Sequence, residues 1–350
     1  MSFSPFDHPV LSGLLGDDET ARHFSALAEI EAMLDFERAL AEAEADQGII
    51  EREAAAAIVA ALGTFKPDLA ALKAGVGQDG VVVPELVRQL RAAIGKPHDK
   101  AVHFGATSQD VIDTGLILRL KPVIAHLDAT LSEVTDRLAG VEARFGSRLM
   151  MGKTRMQAAI PITVADRVRS WREPLVRHRK RLDEQRGEML VVQFGGAAGT
   201  LEKLGDRAPA VRAALAAKLG LADAPQWHSQ RDRLADFASL LSLIAGSLGK
   251  FGQDVALMAQ AGGEIVLQGG GGSSAMPHKQ NPVAAEILVT LARFNATQVS
   301  GMHQALVHEQ ERSGAAWTLE WLILPQMVAA AAASLRQAKA LAGQIEAIGT

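Results

Sequence analysis

The sequence predicts an all-α protein built on long packed helices, and three observations carry that prediction. Of 350 residues, 48% are hydrophobic with Ala and Leu abundant, aromatics make up only 4%, and tyrosine is absent. That profile favours helix over sheet. From Leu120, the apolar residues Ile124, Leu127, Leu131, Val134, Leu138, Val141 and Phe145 step by alternating fours and threes, a seam sustained over about three heptads. From Phe237 the same alternation runs through Leu241, Ile244, Leu248, Phe251, Val255 and Met258. Helices patterned in this way need partners along their whole length.

Taken in order, residues 20–47 read as an amphipathic helix in which Phe24, Leu27, Ile30, Leu34, Phe36 and Leu40 recur near helical spacing among acids and arginines. Two further helices are expected over residues 51–62 and 83–94. Between Gly95 and Gly105 the pattern lapses into Gly-Lys-Pro-His-Asp-Lys-Ala-Val-His-Phe-Gly, so a boundary is placed there. The expected division is an N-terminal helical domain over residues 1–100 and a long-helix bundle over residues 101–350. Pro122 near the start of the first seam is expected to kink that helix or to mark its true beginning. The arginine-rich segment 164–190 is expected at an edge or interface, and an Ala-rich helix closes the chain. The apolar stripes are read as scaffold rather than as cofactor boxes.

Composition limits the partners. The net charge of −4 supplies no basic field for nucleic acid or a membrane surface. With zero cysteines, disulfides and thiolate metal sites are excluded. The N-terminus lacks a basic region followed by an apolar one, and nowhere do 18 apolar residues run uninterrupted. The expectation is a soluble cytoplasmic protein.

The chemistry concentrates in Gly-Gly-Gly-Gly-Ser-Ser-Ala-Met-Pro-His-Lys-Gln-Asn-Pro, residues 269–282. Its glycines supply backbone whose N–H groups stay free for a ligand. Ser273, Ser274 and Lys279 can surround an anionic group, and Asn281-Pro282 suits the N-cap and first position of a following helix. The plain alternative is a glycine-rich surface loop. Upstream, Thr107 with Asp110 fits a capping box, which puts Thr107 and Ser108 at a helix N-terminus where free N–H groups attract a carboxylate. A simple N-cap is the competing reading. His103, just before, is either a hydrogen-bonded structural residue or part of the site. In Gly152-Lys153-Thr154 a phosphate-binding loop is rejected, because Gly146 lies one residue too far upstream and no strand pattern precedes it.

These motifs resemble a known family. Gly-Ser-Ser-Ala-Met-Pro-His-Lys-Gln-Asn-Pro resembles the signature of the fumarase/aspartase/argininosuccinate lyase superfamily, and Thr107-Ser108-Gln109-Asp110 resembles its carboxylate-binding block. The resemblance implies that Ser273 is the general base and that Lys279 and Asn281 bind a substrate carboxylate and shape the oxyanion pocket. It further implies a homotetramer in which loops of three chains complete each site, so that Thr107-Ser108, Thr154-Arg155-Gln157 and the Ser273 loop meet only in the assembly. Members usually continue into a third small helical domain, which this chain, stopping at Thr350, is expected to lack or to carry in reduced form.

One departure from the pattern is informative. The superfamily's Thr-His-x-Gln block reads Thr154-Arg155-Met156-Gln157 here, and an arginine cannot shuttle protons near neutral pH. Eliminations that release an amine or hydroxide need a proton donor, whereas a carboxylate leaving group needs none. Arg155 can instead hold a departing or attacking carboxylate. This points to the branch that closes a small tricarboxylate to a lactone, with no metal or organic cofactor. Gln193 to Thr200, Trp227 to Arg233, and His308 to Trp321 resemble segments of that branch, although Gln310 stands where histidine is usual. Arg231 and Arg312 are candidates for the remaining carboxylates, with surface or interface ion pairs as the alternative. Two rival functions stand beside this one: an amine-releasing lyase that recruits His103 or His228 as its acid, and a catalytically silent helical scaffold.

Overall fold

The computed structural model describes residues 4–272, Met276 and residues 280–350. Two short helices, α1 (Ser12–Leu15) and α2 (Asp18–Ala21), lead into α3 (Ala26–Asp46), and the expected single helix over 20–47 is broken at Ser25. Ser25 is extended and its hydroxyl accepts from the Ala28 N–H, an N-cap that starts α3 afresh. Leu27, expected in the core, is 59% exposed. Then come α4 (Arg52–Leu62), α5 (Leu69–Asp79) and α6 (Val83–Ile94). The sequence reading missed α5, which buries only Leu72 and carries Gly75 and Gly77 inside it.

The bundle begins with α7 (Ser108–Phe145), whose 38 residues span about 57 Å. Pro122 neither begins nor ends α7. The helix starts fourteen positions earlier because Asp110 caps it, its carboxylate accepting from the Thr107 N–H at 3.0 Å. After α7 comes a hairpin that the reading did not foresee, β1 (Leu149–Thr154) paired antiparallel with β2 (Gln157–Thr163). Arg155 and Met156 form its two-residue turn with φ of 47° and 65°, the left-handed pair that matches the twist of hairpin strands. The chain continues through α8 (Val164–Met189), α9 (Ala208–Leu219), α10 (Asp232–Ala261), β3 (Ile265–Leu267), α11 (Val283–Gln304), α12 (Ala315–Gln344) and β4 (Ile345–Ile348), which pairs antiparallel with β3. The helix after the glycine loop starts one residue later than expected: Pro282 occupies the N-cap, and Asn281 instead bridges to Gly271 through paired backbone bonds of 2.9 Å.

Both heptad seams are buried as expected. Every apolar residue named on α7 and α10 is 9% exposed or less, and together with α8, α11 and α12 they form one large core. The α10–α11 contact is close because Gly252 faces Ala285: a Cβ there would stand 2.5 Å from the Ala285 carbonyl oxygen. Helices α10 and α12 are long and apolar enough to cross a bilayer, but 61% of each apolar window is buried inside this bundle. A second core gathers α3, α4 and α6 with Val102, Val111, Phe194, Val211 and Trp317, so residues beyond 100 help to close it.

Candidate active site

The N-terminus of α7 turns two polar side chains inward. Gln109 and Asp110 are fully buried, and burial of polar groups on this scale needs partners. The Gln109 amide donates to Asp113 at 3.1 Å and to the His228 carbonyl at 2.8 Å, while its oxygen accepts from Arg312 Nε at 3.2 Å. Arg312 also donates to the Ala197 carbonyl at 3.0 Å. The guanidinium is thereby tied at the rim of a cavity of about 750 Å³ lined by Ser108, Gln109, Arg312, Ser313, Trp317 and Trp321. A helix N-terminus, a hydroxyl and a guanidinium facing one cavity suit a carboxylate ligand. Thr107, half-buried, precedes Ser108 as the N-cap of the same helix.

Arg231 does something else. It is 2% exposed, and its Nε donates to Glu320 at 2.9 Å and its Nη2 to Asp113 at 3.2 Å, with further bonds to the same two carboxylates. Burial alone would lower its pKa, but the Asp113 and Glu320 charges reverse that and raise it. The Trp317 indole N–H donates to Asp113 at 2.9 Å, and the Trp227 ring lies 4.8 Å from the guanidinium. All three guanidinium nitrogens bond Asp113 or Glu320 inside the protein, so the expectation that Arg231 takes a substrate carboxylate is corrected to a buried ion cluster beneath the cavity. His103 is likewise committed: its Nδ1 bonds Glu37 at 2.6 Å. Burial would lower the imidazole pKa, but the Glu37 carboxylate overcomes this and raises it.

Thr154, Arg155 and Gln157 lie exposed on the hairpin, at the other end of the bundle. The hairpin follows the C-terminus of α7, about 57 Å from Ser108 along the helix axis, and six strand residues reach back only about 20 Å. The same end carries residues 269–272 and 280–282, the described flanks of the glycine-rich segment. Lys153 pairs with Glu264 at 2.6 Å, between the C-terminus of α10 and β3, while the N-terminus of α10 lies beside that of α7 through Arg231 and Asp113. One chain therefore holds two groups of candidate residues at opposite ends: Thr107, Ser108 and Arg312 at one, the Arg155 hairpin and half-buried Asn281 at the other. Ser273, Ser274 and Lys279 lie outside the described residues.

Comparison with known proteins places this architecture. The family described as lyase matches residues 17–301. The chain belongs to the lyase family. Within it, a 3-carboxy-cis,cis-muconate cycloisomerase of Pseudomonas aeruginosa is 43% identical over 92% of this chain and 72% of its own. An N-acetyl-S-(2-succino)cysteine lyase of Enterococcus italicus is 34% identical over 88% of this chain and 69% of its own. The crystal structure of the 3-carboxy-cis,cis-muconate lactonizing enzyme of Pseudomonas putida superimposes with a TM-score of 0.91 at 39% identity, covering 96% of this chain and 77% of that one. The all-α long-helix architecture is that of the fumarase/aspartase superfamily.

Sequence reasoning missed Gln109, Asp110, Asp113 and Glu320 as the framework of the cavity. A signal existed: Gln109 and Asp113 are polar residues four apart that continue the α7 seam towards its N-terminus, where apolar residues would be expected.

Proposed function

We propose that the chain is a cycloisomerase that interconverts 3-carboxy-cis,cis-muconate and 4-carboxymuconolactone, a reading supported by its likeness to a 3-carboxy-cis,cis-muconate cycloisomerase and to a lactonizing enzyme for the same triacid. The observation that carries the reading is Arg155, exposed at the hairpin turn and in no ion pair among the described residues, where the superfamily pattern has a proton-donating histidine. Fixed as a cation, it suits a carboxylate that attacks or leaves without needing a proton.

In the lactonising direction, one substrate carboxylate oxygen bonds to a double-bond carbon while the electron pair of that double bond moves into the neighbouring carboxylate as an enediolate. Thr107, Ser108, Lys279 and Asn281 hold that second carboxylate and stabilise its added charge. Ser273 delivers the proton to the carbon between them, and Arg155 holds the carboxylate that forms the new carbon–oxygen bond. Arg312 takes the third carboxylate. Because the two residue groups stand at opposite ends of one chain, the complete site needs chains arranged side by side, as in a homotetramer with shared active sites. With this activity we infer a cytoplasmic location and a place in the protocatechuate branch of the beta-ketoadipate pathway.

The amine-releasing alternative finds little support. His228 is 1% exposed with Nε2 held by Asp110 at 2.8 Å, and His103 is held by Glu37; neither lines the cavity. Incubation with the triacid followed by NMR tests the proposal. Appearance of a lactone ring with a new carbon–oxygen bond is the expected result, and unchanged triacid refutes it.

A further inference from the structure

Asp110 is the most densely hydrogen-bonded side chain in this region. Its fully buried carboxylate accepts five hydrogen bonds, from the Thr107 N–H at 3.0 Å, the Gly195 and Gly196 N–H groups at 2.9 Å each, the Gln193 amide at 3.2 Å and His228 Nε2 at 2.8 Å. A carboxylate can only accept, so His228 carries its hydrogen on Nε2. Three segments distant in sequence are thereby clamped on one group: the start of α7, the 193–196 turn and the loop before α10. This is more than a helix cap needs.

The clamp leads directly to the cavity. The Gly196 and Ala197 carbonyls, on the turn that Asp110 fixes, accept from Arg312 Nη2 at 3.4 and 3.0 Å. Gln109, the residue before Asp110, accepts from Arg312 Nε. Gly196 has φ of 68°, and a Cβ there would meet the Gly105 carbonyl oxygen at 2.8 Å, so the turn is seated closely against the approach to α7. Asp110 meanwhile uses the Thr107 N–H, and the Ser108 and Gln109 amides that follow it have no acceptor within the helix.

We infer that Asp110 is a positioning residue that sets the distance between Ser108 and Arg312, and so fixes how a substrate carrying two carboxylates spans the cavity. The inference rests on the cycloisomerase reading for its substrate. Asp110 touches no substrate; it acts through the 193–197 turn and Arg312. Replacing it by Asn keeps its shape but brings an NH2 group against donors, so the turn shifts and Arg312 with it.

Steady-state kinetics on 3-carboxy-cis,cis-muconate, run on wild type, Asp110→Asn, Arg312→Lys and the double variant, test this. Asp110→Asn is expected to raise KM about tenfold while kcat changes by less than about threefold, and the double variant is expected to be no worse than Arg312→Lys alone. A merely structural role would reduce kcat through loss of folded enzyme and leave KM alone. An unmoved KM, or effects that multiply, overturns the inference. Should Asp110→Asn fail to fold, His228→Leu removes one of the clamp's donors and His228→Gln restores it. KM raised in the first and recovered in the second supports the inference, and equal KM in both overturns it. Wild type that leaves the triacid unchanged overturns the functional reading and this inference with it, whereas an active wild type with unmoved variants overturns this inference alone.

Discussion

The guanidinium Nε of Arg312 donates to the side-chain oxygen of Gln109 across 3.2 Å, tying the loop before α12 to the first turn of α7. Together with the bonds from Nη2 to the Gly196 and Ala197 carbonyls, this bond orients a cation at the rim of the cavity. Arg312→Ala is therefore expected to lower kcat/KM on the triacid by about a hundredfold, since a charge-assisted carboxylate contact contributes about 2–3 kcal/mol. Because Arg312 is exposed, its melting temperature should move little. A large fall in melting temperature with unaltered KM in the folded fraction would reassign Arg312 to the scaffold.

Arg231 should behave in the opposite way. Arg231→Met leaves Asp113 and Glu320 buried without their shared cation, and breaking a buried pair of this kind costs about 3–5 kcal/mol. Urea denaturation followed by circular dichroism measures the loss. A stability within about 1 kcal/mol of wild type would contradict the ion cluster.

Glu44 gives a pH signature. Both of its carboxylate oxygens are buried without a hydrogen-bond partner, and burial, with repulsion from Glu37, pushes its pKa from the ordinary 4.5 up to about 9. The folded protein therefore keeps a proton that the unfolded chain releases above 4.5, and stability falls as pH rises between the two values. The slope is about 1.4 kcal/mol per pH unit, or about 3 kcal/mol in total by pH 7. Glu44→Gln removes this loss. Melting curves of wild type and variant should nearly coincide at pH 5 and separate, with the variant more stable, towards pH 8; curves that stay parallel would contradict it.

His103 carries the same sign for a different reason. Its pKa is raised by Glu37 against the lowering effect of burial. The stabilisation is complete below the ordinary histidine value of 6.5 and is lost as pH climbs through the raised one. His103→Gln should therefore destabilise more at pH 6 than at pH 9, as read by thermal melts at the two pH values.

Much of this fold was legible because long seams repeat their signal many times. On α7, each of Leu120, Ile124, Leu127 and Leu131 independently reports the same face, and all are buried. Single-position features were harder to read. The hairpin turn is Arg155-Met156, with no Gly or Asn to announce its left-handed backbone, and the exposed β1 residues Leu149 and Met151 obscure the strand alternation. Helix α5 was missed because Gly75 and Gly77 weaken its local propensity. The candidate site was legible as motifs but not as places. Nothing in the composition of Arg231 and Arg312 separates a buried ion pair from a cavity rim; that is decided by Asp113 and Glu320, which approach Arg231 from 118 and 89 residues away.

The central claim is that the Arg155 position makes this a carboxylate-adding enzyme rather than an amine-releasing one. The most direct test follows the conjugated-diene absorbance of 3-carboxy-cis,cis-muconate with purified protein, with adenylosuccinate in a parallel cuvette. Loss of absorbance in the first and no fumarate release in the second is the predicted result. Fumarate release from adenylosuccinate, with the triacid untouched, would contradict the account and require a proton donor in place of Arg155.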